Sequence, residues 1–130
     1  NVVGIFDFDW SKVDLRLFDV SYSMLYFCCS WKDEDDGDMQ PANCKLFLNS
    51  YQKKLKQLNG LDPLNETELN CLPTMMALSN IYLIRWIIMD YYSKANPNDY
   101  EYLAYLKHCV RLLSWIEQNK AELGELVAGF

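Results

Sequence analysis

GIFDFDWSKVDLRLFDVSYSMLYF, residues 4–27, decides the fold, because it passes from a strand-like run to a helical one. With Val2 and Val3 ahead of it, the run over residues 2–6 is short, apolar and rich in β-formers, and it reads as a buried strand. Asp7-Phe8-Asp9 ends that strand, and residues 10–14 form an irregular link. From residue 15 to 27 the pattern is helical and apolar almost all round, which predicts a central helix.

Downstream, every trusted element is a helix. Residues 32–42 (KDEDDGDMQPA) form a polar acidic loop, read as solvated and mobile. Gly37 at the sixth position would put Lys32 at the first, so the Ca²⁺-binding EF-hand pattern fails. A second helix over residues 43–58 carries Leu46, Phe47, Tyr51, Leu55 and Leu58 at helical spacing, and Asn59-Gly60 stops it. Asn65 followed by Glu68 predicts an N-cap with a capping-box partner. The pattern over 69–92 is helical, with Pro73 expected to split it into a short and a long helix. Asn96-Pro97-Asn98 is a break, and a last helix follows over about residues 99–120.

Composition sets outer bounds. A chain of 130 residues, 51% hydrophobic and 15% aromatic, supports one domain with a real core. A net charge of −6 argues against nucleic acid and anionic membrane as partners. Five cysteines without regular spacing suggest neither a disulfide framework nor zinc, and point to a reducing, cytoplasmic setting. Cys28, Cys71 and Cys109 lie in apolar surroundings and read as small core residues. Asn65-Glu66-Thr67 matches a glycosylation sequon, against which the cysteines argue. The apolar stretch over 75–89, interrupted by Ser79, Asn80 and Arg85, reads as too short to span a bilayer comfortably. A chain that starts inside an element, at Asn1, reads as cut from something longer.

The aspartate pair admits two chemistries. An apolar strand before Asp-x-Asp resembles the haloacid dehalogenase-type phosphohydrolases, with Asp7 as nucleophile and Asp9 as acid/base. That motif continues with a small pair such as Gly-Thr, whereas Trp10-Ser11 follows here, and helices replace the alternating α/β chain it needs. The second chemistry is phosphoryl transfer, in which an Asp at a strand end bridges Mg²⁺ to the phosphates of ATP. The stretch 4–27 resembles the C-terminal lobe of the aminoglycoside phosphotransferase and choline kinase superfamily, closest to its homoserine kinase type II-like branch. The matching features are Phe6-Asp7-Phe8-Asp9, the short loop 10–14, and Phe18-Asp19 opening a helix.

This resemblance, specific over residues 1–31, implies that Asp7 holds Mg²⁺, with Asp9 beside it in a less defined role. Asp19 would brace the catalytic loop, and the helix dipole alone also favours a carboxylate there. It implies a protein-kinase-like C-terminal lobe: residues 1–14 as strand and metal-binding loop, residues 15–130 as a helical acceptor-binding subdomain. The fold class is therefore mainly α behind one strand. The family's His-x-Asp-x-x-x-x-Asn loop and glycine-rich nucleotide loop are absent, and His108 cannot replace them. The chain alone is expected to be inactive and to need the missing N-terminal part of the same kinase. Whole, it would transfer the γ-phosphoryl of ATP to a small-molecule hydroxyl such as homoserine, choline or an aminoglycoside-like acceptor. Trp10, Asp14, Arg85 and Asp90 are the candidate substrate contacts, the last two because a charge within an apolar pattern needs a partner or water. Trp86, Tyr82, Tyr91 and Tyr92 could line a pocket, but aromatics so spaced are more often core. The alternative from another class is a non-catalytic helical binding module that retains a kinase remnant.

Overall fold

In the computed structural model residues 3–4 and 13–128 are described, and three-quarters of these are helical. Among the described residues five α-helices follow in order: α1 (Arg16–Phe27), α2 (Pro41–Gln57), α3 (Glu66–Ser93), α4 (Asp99–Gln118) and α5 (Lys120–Val127). The strand expected over 2–6 lies largely outside the described residues; Val3 and Gly4, which are described, are not in a strand.

The central helix is α3, not α1. It packs against α1, α4 and α5, whereas α1 leaves Tyr26 and Phe27 exposed. Its start follows the sequence pattern: the Asn65 side chain accepts from Glu68 N–H, and Glu68 accepts from Asn65 N–H. Pro73 does not split it. The helix runs unbroken for 28 residues, with Pro73 buried. The ring removes one amide donor, and packing on both sides of it, Leu69 and Leu72 before and Met76 after, holds the turn in place. By length and composition alone α3 could cross a membrane, so shortness is no argument against it; 44% of its most apolar window is buried here.

The core lies along α3, on which α1 and α4 each pack, with Met24, Leu25, Leu72, Met76, Leu112 and Ile116 fully buried and Leu48 joining from α2. Pro41 starts α2 at a position where its missing N–H costs nothing. Gln52, buried on α2, donates to Leu64 O (3.0 Å) and accepts from Leu64 N–H (2.7 Å), clamping the link into α3. The last helix ends earlier than expected. Asn119 N–H and its side-chain amide both donate to Trp115 O, and the chain restarts as α5. Of the cysteines, all free, Cys71 is exposed, while Cys28, Cys29, Cys44 and Cys109 are buried.

Arg16 ties α1 to the start of α3. Its Nε and Nη2 donate to the two oxygens of Glu68 (2.7 and 2.6 Å), and the guanidinium also reaches Asp62 O and Pro63 O. The guanidinium holds the Glu68 carboxyl below its usual range, with Asn65 N–H adding to the effect. Because that pKa is lowered in the folded state, the stabilisation is complete above the ordinary glutamate value and fades as pH falls through the lowered one. With Arg16 and Glu68 36% and 24% exposed, screening limits the pair, so Arg16→Met should cost about 1 kcal/mol at neutral pH. Urea titrations at pH 7 and pH 3 should show that difference shrinking in acid; an unchanged gap would refute the pairing.

The acidic stretch is exposed at Asp33, Glu34, Asp35 and Asp38, as expected of a solvated loop, but its backbone is closed on itself and its tip is paired. Ser30 N–H donates to Asp38 O, Gly37 N–H to Ser30 O and Gln40 N–H to Cys28 O, with an antiparallel bridge between Cys29 and Met39. Residues 28–40 thus form a clasp, whose tip lies on α4. Asp36 accepts from Arg111 Nη1 (2.5 Å) and lies 2.6 Å from His108 Nδ1. Within this run of carboxylates Asp36 alone is held by side chains of another helix, Arg111 and His108 of α4, while Asp33, Glu34, Asp35 and Asp38 are exposed.

Candidate functional site: an aromatic cleft

The clasp, α1, the later half of α3 and α4 enclose a cleft of about 320 Å³, within the range of small-molecule sites. Leu25, Leu83, Ile87 and Leu112 form its floor, and Tyr26, Trp31, Trp86 and Tyr105 its walls. Trp86 is half exposed, so the aromatic stripe on α3 is only partly core. Trp31 is held from several sides: its Nε1–H donates to Tyr26 O (3.0 Å), its ring stacks on His108 with centroids 3.8 Å apart, and the rings of Tyr26 and Tyr105 lie beside it.

The polar groups gather at one end. Tyr102 O–H donates to Asp90 Oδ2, Lys94 donates to the Tyr102 hydroxyl, and Lys94 Nζ lies 2.8 Å from Asp90 Oδ2. Lys94 and then Tyr102 lower the Asp90 pKa, so the carboxylate stays charged. Glu101 adds a second carboxylate to the lining. The lining as a whole thus carries two carboxylates and one ammonium, beside four aromatic side chains.

At the opposite end His108 is buried, 3% exposed. Its Nε2 lies 3.8 Å from Cys29 Sγ, and its Nδ1 faces Asp36, so thiol, imidazole and carboxylate stand in the order of a cysteine nucleophile and its base. The thiol is not activated. It donates to Leu25 O at 2.7 Å, and burial, with the charges of Cys28 and Asp36, pushes its pKa up to about 12. A thiolate nucleophile needs the reverse shift. The trio therefore anchors the clasp.

Of the residues singled out in the sequence, Asp90 lines the cleft. Arg85 is exposed on α3 and is not among the lining residues. Asp14 precedes α1 and accepts from Leu15 N–H, away from the cleft lining, and Asp19 is exposed in the first turn of α1. Asp7, Asp9 and Trp10 lie outside the described residues. Among the described residues no group of three or more His, Cys, Asp or Glu side chains is placed to hold a metal ion. Trp31, Lys94, Glu101 and Tyr105 carry no sequence signal of their own; only the fold brings them together. Comparison with known protein families, curated proteins and solved structures found no match for this chain.

Proposed function

We propose that this chain is the acceptor-binding part of a cytoplasmic, ATP-dependent phosphotransferase, and that its acceptor is a small hydroxyl compound bearing an amine. The observation that carries this reading is the cleft: four aromatic walls, with Asp90 and Glu101 in the same lining, suit an organic cation. The resemblance of residues 1–31 supplies the rest, with Asp7, and Asp9 beside it, holding the Mg²⁺ of MgATP. Five free thiols, one of them exposed, agree with a reducing compartment.

Choline and its neutral carbon isostere 3,3-dimethylbutan-1-ol differ in charge and hardly in shape, so they isolate the electrostatic part of binding. Titration followed by tryptophan fluorescence should show choline favoured about two- to fivefold, a cation over part-exposed aromatic faces gaining about 0.5–1 kcal/mol. Trp86→Ala should remove most of that preference. Equal binding of the two compounds would overturn the amine reading. Transfer itself is tested on the reading frame with its upstream residues: ATP-dependent phosphorylation of an amino alcohol supports the proposal. No Mg²⁺-nucleotide binding by the complete protein would leave the non-catalytic binding module.

A further inference from the structure

Lys94 is the residue at which α3 ends, with extended backbone (φ −93°, ψ 140°), and it points back one turn to Asp90. Its ammonium meets every kind of group that a ligand's ammonium would seek in this cleft. It lies 2.8 Å from the Asp90 carboxylate, donates to the Tyr102 hydroxyl, and sits 5.1 Å from the centre of the Tyr102 ring. Resting on the amine reading above, we infer that Lys94 is a tethered occupant of the cation site, which an incoming organic cation must displace.

Displacement is sterically simple. The Lys94 side chain is 50% exposed, and leaving requires only rotation about its own bonds past the helix end. The Asp90 carboxylate and the Tyr102 hydroxyl stay paired when it goes, so no buried group loses its last partner. Asp90, with Tyr102 next, also holds the Lys94 pKa up, so the tethered cation persists wherever a ligand amine is charged.

The opposite role, Lys94 reading a ligand carboxylate, fits less well. An anion beside its ammonium would face Asp90 at once, and Glu101 carries a further negative charge in the same lining. The arrangement sets a threshold: a cation gains only what exceeds the internal pair. An exposed i,i+4 pair is a modest competitor, so its removal should tighten binding by a factor of about two to five.

The test is choline titration of the whole chain as wild type, Lys94→Met and Lys94→Gln, with glycine betaine as a zwitterionic control. Both variants are expected to bind choline two to five times more tightly than wild type. Unchanged or weaker choline binding in both, with wild type still preferring choline over its neutral isostere, would overturn the tethered occupant and spare the amine reading. Betaine bound by wild type and lost in both variants would overturn it in favour of a carboxylate reader. No preference for choline over the isostere in any of the three proteins would overturn the amine reading and the inference with it.

Discussion

Gly37→Ala should destabilise the protein by about 3 kcal/mol, a loss of roughly 10 °C in melting temperature. Gly37 adopts φ +92°, a conformation that costs an L-residue about 1–2 kcal/mol. A Cβ there would lie 2.7 Å from Arg111 Cβ and 2.9 Å from Leu112 N on α4. Backbone cannot yield as a flexible side chain can, so overpacking adds about 1–3 kcal/mol. Alanine should therefore lift the clasp from α4 rather than sit beneath it. Asp38→Ala, one residue on and exposed, should change stability by under about 0.5 kcal/mol. Thermal unfolding of the two variants side by side separates a seated clasp from a surface loop. Gly37→Ala melting with wild type would mean that the tip does not touch α4.

The same segment shows where sequence reasoning stops. Five carboxylates within residues 33–38 have the composition of a solvated loop, and nothing local announces partners some 70 residues away. Arg111 and His108 become visible only when α4 lies across the tip. By contrast, the start of α3 was legible because capping is local: Asn65 and Glu68 satisfy each other's backbone within one turn. Pro73 misleads for the converse reason. Propensity counts the lost hydrogen bond and cannot see that Pro73 is buried among Leu69, Leu72 and Met76. The cleft is the extreme case. Its lining comes from four separate segments, so Asp90 could be marked as a charge out of place, while Lys94, Tyr102 and Trp31 could not. The all-helical body follows from periodicity; the kinase-like lobe rests on residues 1–31 and on the proposal above.

Asp36→Ala should cost about 2 kcal/mol and also weaken choline binding, linking the clasp to the cleft. Asp36 is 19% exposed and is the hydrogen-bond partner of buried His108 Nδ1. A carboxylate can only accept, so the imidazole donates from Nδ1, and losing Asp36 leaves that donor buried and unpaired, at about 1–3 kcal/mol. Arg111 loses its partner too, but at 53% exposed it returns to water at little cost. A double-mutant cycle with His108→Phe isolates the buried part. Phenylalanine keeps a ring against Trp31 and has no Nδ1, so Asp36→Ala should cost at least about 1 kcal/mol less in that background. Additive losses would show that the imidazole and Asp36 are not energetically coupled. The functional consequence runs through Trp31, whose ring is both a wall of the cleft and the stacking partner of His108. An imidazole that seeks water to satisfy Nδ1 tilts away from Trp31 and loosens that wall. Choline affinity should therefore fall in Asp36→Ala, and it should be largely retained in His108→Phe, where a flat ring still backs the indole.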